Sequence, residues 1–408
     1  MDHETPTTPT FPHSLNVSNI EYKLLRLLRM ATFGASTFGE WYSVVRKMQD
    51  NPRNTWPDLW ASLARNVEAA GEESALRERF TSAGDCFLRA AMYHHLAEYY
   101  ALISSGDFSA HGNRCGAAFT KALPFMPWHG EAVNIEANNE SYPCYVMMPE
   151  EGVPVHGVIL FVAGLESCAE EEYFYLGFSA LRRGYGVLLF QGPGQTGMLR
   201  NDPTNFVRPD MELPLQVALD YIASRPEFAG AVTVAVGSGF GAYYVSRLAA
   251  VDHRVQVLVA SPPTVSLQPL LIEVLGTKAT AVDVEESALM DIPDSVMPSR
   301  LKVLLQNMFH RFGVGRLQQM IQISAQYSLQ DRLYRIHCPT LAVTGVSTFP
   351  EQEAQAQEFI EGVRSTIKER LVLNQYYVPD LQDTEPGLAS MHREKFDWID
   401  EIVDRLRS

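Results

Sequence analysis

From Trp128 onward, short apolar runs alternate with stretches of helical periodicity, and this alternation limits the fold more than any other feature of the chain. The runs cover residues 145–148, 157–163, 186–190, 232–236, 255–260, 340–344 and 369–373. Short and apolar throughout, they read as strands buried on both faces. The helices between them must cross back over the sheet, so the sheet is predicted to be mostly parallel and doubly wound, an α/β fold. Between 262 and 335 the alternation gives way to helical periodicity alone. In such a sheet an insertion at the carboxyl edge of the strands roofs the ligand crevice.

Ahead of the sheet, residues 20–105 carry apolar side chains at three- and four-residue intervals. Residues 86–101 lack β-branched residues, Pro and Gly, which predicts one long helix. Trp56-Pro57-Asp58 marks a helix start, with Pro57 in the first turn where its missing N–H costs nothing. The expected organisation is a disordered tail (1–19), an N-terminal helical domain (20–125), a core (126–261 and 336–408) and a helical lid (262–335).

Charge and composition then exclude several functions. The net charge of −15 over 408 residues repels phosphate backbones and anionic bilayers, which argues against nucleic-acid and membrane partners. No apolar run is long enough to span a bilayer. Residues 1–12 are polar and rich in Thr and Pro, without the apolar stretch of a secretory signal, so a cytoplasmic location is expected. The five cysteines are scattered with no C-x-x-C pair, which reads as reduced thiols and no metal. No cofactor is implied. The expected partner is a hydrophobic small molecule, and a homodimer is left open.

The sharpest local signal is Val232-Thr-Val-Ala-Val-Gly237-Ser238-Gly239-Phe240-Gly241-Ala242-Tyr243-Tyr244, a strand, a glycine-rich turn and a helix. This is the setting of the nucleophile elbow G-x-S-x-G, in which a strained turn raises a hydroxyl above the sheet. Gly237 and Gly241 take the outer glycine places, so Gly239 takes the centre, and Ser238 falls one residue early. Two plainer readings compete. A phosphate-cradling turn lacks the full G-x-G-x-x-G spacing and a Walker lysine; a simple strand-to-helix turn needs no function at all.

The wider text resembles the α/β-hydrolase branch of 2,6-dihydroxypseudooxynicotine hydrolase and the FrsA-like proteins, with fungal biosynthetic-cluster hydrolases among its members. The resemblance rests on Phe38-Gly-Glu-Trp41, Leu88-Arg-Ala-Ala-Met-Tyr93, Gly164-Leu-Glu-Ser-Cys-Ala-Glu-Glu171, Gly184-Tyr-Gly-Val-Leu-Leu-Phe-Gln-Gly-Pro-Gly-Gln195, Cys338-Pro-Thr-Leu341 and Phe396-Asp-Trp-Ile-Asp400. It implies an α/β-hydrolase fold with an N-terminal helical domain and a lid. It also implies a Ser-His-Asp triad, and here the sequence departs from it. The nucleophile place holds Gly239. The acid's place, Gly345-Val-Ser347-Thr348-Phe349, offers no carboxylate. The histidine's place reads Val378-Pro-Asp380-Leu-Gln382, and His392, further on in the last helix, matches a structural histidine of the family. What outlives loss of the triad is the oxyanion hole, made of backbone N–H groups expected at Phe240 and Leu165.

The residues so nominated are Asp380, Gly239, Phe240, Leu165 and Glu166 for catalysis, with Asp380 or Glu166 as the proton-transfer group. Gly164, Ser238, Trp41, Tyr93, His94, Trp128 and Tyr243 are nominated for substrate contact. Glu170, Glu171 and Glu172 read as acidic residues in the first turn of a helix. Cys168 is a poor substitute nucleophile, because the sequence sets no histidine beside it. The expected activity is cyclisation, isomerisation or C–C rearrangement of a carbonyl-bearing, polyketide-type substrate. The alternatives are a hydrolase with a water-activating carboxylate and a non-catalytic scaffold.

Overall fold

The computed structural model describes residues 19–50, 56–276, 283–293, 297, 299–345, 349–373 and 388–408. The expected tail at 1–19 lies almost wholly outside them. Among the described residues, eight strands form one sheet: β1 (His129–Ala137), β2 (Glu140–Met148), β3 (Gly157–Val162), β4 (Tyr185–Phe190), β5 (Val232–Ser238), β6 (Val257–Ser261), β7 (Thr340–Gly345) and β8 (Lys368–Leu373). Their spatial order is β1-β2-β4-β3-β5-β6-β7-β8. β1 and β2 pair antiparallel with their neighbours, and the remaining pairs are parallel. The order doubles back around β3, so the loops after β3 and β5 diverge and leave a crevice at the carboxyl edge.

β1 was not legible as a strand, and the reason is physical. Most of its residues are exposed or half-buried, because it forms the edge of the sheet. It is fixed instead by a two-residue turn in which Asn138 and Asn139 both take positive φ (54° and 64°). Asparagine tolerates that region, and paired positive φ values match the natural twist of a hairpin. The strands β3 to β7 are buried along their whole length, as their apolar runs require.

The two faces of the sheet are covered by separate apolar clusters. One joins the N-terminal helices to the last helix, Leu388–Arg407. The other joins the helices Glu212–Ser224 and Phe240–Ala249 to residues of the 262–335 segment. The N-terminal layer comprises Asn19–Met30, Phe38–Asp50, Trp56–Leu76, Phe80–Tyr99 and Gly106–Ala122. The helix expected at 86–101 is therefore present but begins a turn and a half earlier. The N-terminal layer and the 262–335 segment are tied together by Asn307, which accepts from Ile103 N (3.0 Å) and donates to Ala101 O (3.1 Å). No helix among the described residues is long and apolar enough to cross a membrane.

Candidate active site

The turn after β5 has an unusual backbone. Gly239 sits at φ 56°, ψ −129°, and Phe240 immediately begins a helix. That conformation costs an L-residue strain and suits glycine. The flanking glycines are required for a different reason, close packing. A Cβ on Gly241 would lie 2.0 Å from Val162 O, and one on Gly237 would lie 2.5 Å from Gly241 O. A Cβ on Gly239 would meet nothing nearer than Gly164 Cα, at 3.7 Å. Of the three glycines, only the central one leaves room for a side chain. The strand, sharp turn and helix expected at this point are present, and residue 239 at the centre is glycine.

Facing it is the loop after β3, held by side chains. Ala163 N donates to Glu172 Oε1 (3.3 Å), and Gln191 Nε2 donates to the same oxygen (2.7 Å). Gln195 Nε2 donates to Ala163 O (2.8 Å), and Thr196 Oγ1 donates to Leu165 O (3.2 Å). Thr196 is in turn held by Arg311 Nη2 at 3.1 Å, from the helix Ser299–Phe312. Burial pushes the Glu172 carboxyl well above the ordinary range. Phe240 is the first residue of its helix, so its N–H has no intrahelical acceptor and adds to the positive end of the helix dipole. Leu165, whose carbonyl is held by Thr196, lines the same cavity as Phe240.

A cavity of ≈ 410 Å³ opens beside this turn, lined by Gly164, Leu165, Glu166, Ser238, Gly239 and Phe240. The N-terminal layer contributes Lys23, Arg26 and Tyr99, and the 262–335 segment contributes Pro262, Leu267, Met308 and Phe312. Ser238 caps β5 and donates to Tyr175 Oη at 3.4 Å.

Behind the cavity runs a buried chain of charges. Glu171 accepts from Lys23 Nζ and Ser167 Oγ, each at 2.8 Å, with Arg26 Nε at 3.3 Å. Burial opposes its ionisation, but Arg26 and Lys23 override this and hold the carboxyl well below the usual range. His95 lies 3.7 Å from Glu171 and bonds Glu98 through Nδ1 (3.0 Å). Glu98 takes two bonds from Arg200 (2.7 and 2.8 Å), which also reaches Glu170 (3.0 Å). Against the cost of burial, Arg200 brings the Glu98 carboxyl down to about 2. The chain fits under the helix Gly106–Ala122 only because residue 112 is glycine: a Cβ there would lie 2.2 Å from Glu98 Oε1.

Several expectations are refined here. The helix does begin at Ala169, but Glu170, Glu171 and Glu172 are buried, and they serve ion pairs and the β3 loop rather than a solvated first turn. Cys168 does have a histidine nearby: ligand-type atoms of His95, Glu98 and Cys168 lie within 4.8 Å of one another, as do those of Cys115, Cys168 and Glu170. These are the described side chains most able to hold a metal, although Arg200 already occupies both carboxylates. Burial raises the Cys168 thiol well above its ordinary value, which removes its nucleophilic form.

Of the nominated residues, Gly164, Leu165, Glu166, Ser238, Gly239 and Phe240 come together around the cavity. Tyr243 stacks on Phe240 (5.4 Å) from below. Trp41, Tyr93 and His94 belong to the N-terminal layer. There Trp41 Nε1 donates to Leu24 O, Tyr93 Oη donates to Glu40, and His94 contacts Glu68. Trp128 is core, edge-on to Phe178. Asp380 lies outside the described residues, as do Ser347 and Thr348. His392 is fully engaged: Nε2 donates to Tyr175 O (2.6 Å), so Nδ1 accepts from Ser179 Oγ (2.7 Å), and burial lowers its pKa to about 4. Lys23, Arg26 and Tyr99 were missed, since they approach from helices far away in sequence.

No family model matches the chain. It is similar to the α/β hydrolase gkaG of Penicillium citrinum, 26% identical over 387 residues, 88% of each chain. The similarity to the α/β hydrolase xenA of Xenoacremonium sinensis (27% identical over 263 residues) spans 61% of each chain. Among solved structures it is similar to 2,6-dihydroxy-pseudo-oxynicotine hydrolase, with a TM-score of 0.69 and 19% identity over 92% of this chain and 95% of that one.

Proposed function

Because this chain belongs to the α/β-hydrolase superfamily yet carries glycine where the elbow would hold its nucleophile, we propose that it is a non-hydrolytic enzyme. It cyclises, isomerises or rearranges a C–C bond of a hydrophobic, carbonyl-bearing molecule of polyketide type. The fungal relatives support a place in fungal secondary metabolism. The observation that carries the reading is Gly239: elbow backbone kept, side chain absent, and an open cavity directly above it. The substrate carbonyl is polarised by the N–H groups of Phe240 and Leu165, a contribution of about 3 kcal/mol per donor. Holding a reactive conformer against that pair accelerates a ring closure or a shift without any nucleophile. An open cavity is also what separates this reading from a scaffold that has kept only the fold.

A fluorophosphonate probe should leave the protein unlabelled, because the elbow offers it no hydroxyl. Gly239→Ser has room for its side chain, yet it should restore at most trace hydrolysis of p-nitrophenyl esters. Triad members act as a unit, and one part returned to an empty set recovers little. Stoichiometric labelling of Ser238, or ester turnover at ordinary hydrolase rates, would sink the reading. Asp380 is assigned the proton transfer by its place in the sequence. Asp380→Asn should then lower turnover of the native precursor by about 10²-fold at saturating substrate. Unchanged turnover would leave carbonyl polarisation as the whole mechanism.

A further inference from the structure

The cavity beside Gly239 has two chemically different ends. Leu267, Met308, Phe312 and Phe349 form an apolar wall, while Lys23, Arg26, Ser167 and Glu171 gather at the other end. Lys23 is only 4% exposed, so its ammonium has left bulk water, which is costly unless its donors are used. An ammonium carries three N–H donors. One meets Glu171 Oε1 at 2.8 Å, and the group sits 4.8 Å above the Tyr99 ring. Glu171 has little left to give: Arg26 shares Oε1, and Ser167 donates to Oε2. Lys23 also lines the cavity, where a ligand can use its remaining donors. At this end two cations, Lys23 and Arg26, meet one carboxylate, Glu171, and Glu166 is the other carboxylate in the cavity lining.

We propose that Lys23 is the anchor for an acidic head group on the ligand, an anionic oxygen supplied by a carboxylate or by the enolate of a 1,3-dicarbonyl. The apolar body of the ligand lies along Leu267, Met308 and Phe312, and its reacting carbonyl lies over Gly239. The inference deepens the proposed function and rests on its reading of the cavity as the substrate site. Arg26 adds positive potential on the same side, and Ser167 completes the polar wall. A neutral oxygen accepts from the remaining Lys23 donors more weakly than an anionic one, so head-group charge becomes the basis of selection.

The test is calorimetric titration of the full chain near pH 7.5 with three probes: decanoate, decanol and 2-octanoyl-1,3-cyclohexanedione. At least one of the two acids should bind about tenfold or more tightly than decanol, as a charge-assisted hydrogen bond implies. Lys23→Met should erase that advantage, whereas Lys23→Arg should keep it. If Lys23→Met does not accumulate, the double variant Lys23→Gln with Glu171→Gln removes the pair as a unit and serves the same comparison. Whichever acid binds better identifies the head as carboxylate or enolate. Equal binding of acids and alcohol, an advantage that survives Lys23→Met, or no binding of any probe at millimolar concentration would overturn the proposal. Failure of the non-hydrolytic reading is distinguishable, because fluorophosphonate labelling reports on the elbow independently of the Lys23 comparison.

Discussion

Gly241→Ala should lose about 3 kcal/mol of stability or more, an overpacking cost at the upper end of the usual range. Its Cβ would lie 2.0 Å from Val162 O and 2.6 Å from Ala163 O, both of them backbone atoms that no side-chain rotation can move aside. To make room, β5 and its helix must separate from β3, and the Gly164–Leu165 loop must move with them. Gly239→Ala, two residues earlier, is the control. Its nearest neighbour would be Gly164 Cα at 3.7 Å, so the cost is confined to the φ of 56°, about 1–2 kcal/mol. Urea unfolding of both variants at neutral pH gives the comparison. Equal losses, or the reverse order, would mean that the turn is not packed against β3 in this way. The result bears on the proposed function, which needs a tightly packed turn to hold the Phe240 and Leu165 N–H groups in place.

That contrast also shows which parts of the site were legible in sequence. Gly237 and Gly241 could be read because close packing restricts both positions to glycine, which leaves a local text, and Gly239 was read from its place between them. The inner strands were legible for a similar reason: burial on both faces forces a continuous apolar run. β1 was not, because an edge strand carries no such pattern and is set by two asparagines in its turn. The charge chain from Lys23 through Glu171, His95, Glu98 and Arg200 to Glu170 was invisible, since it joins separate elements across the fold. Glu170 and Glu171 do sit in the first turn of their helix, and only tertiary structure shows that they are buried there. Trp41, Tyr93 and His94 were nominated by residue type, and the helical layer uses each of them for its own packing.

The charge chain supplies the second large effect. Arg200→Ala should cost about 3–5 kcal/mol at neutral pH, since it takes the guanidinium away from two buried carboxylates, leaving Glu98 with His95 and Glu170 with Tyr145. The pH dependence of that loss identifies its cause. In the wild type, the Glu98 carboxyl is depressed to about 2, below its unfolded value. Its contribution to stability is therefore present above the unfolded pKa and is lost only as pH falls toward 2. Removing the guanidinium leaves burial as the dominant influence, which raises both carboxyls above their unfolded values. A raised carboxyl contributes stability at low pH and loses it as pH rises through the folded pKa, the opposite sign. The gap between wild type and Arg200→Ala should therefore be widest at pH 8 and shrink steadily toward pH 5, as the two carboxylates take up protons. Urea unfolding at pH 8, 7, 6 and 5 tests this, and a gap that does not change with pH would show that Arg200 acts through packing alone. Replacing the group together, with Arg200→Met, Glu98→Gln and Glu170→Gln, should recover much of the loss, because no unpaired charge is then buried.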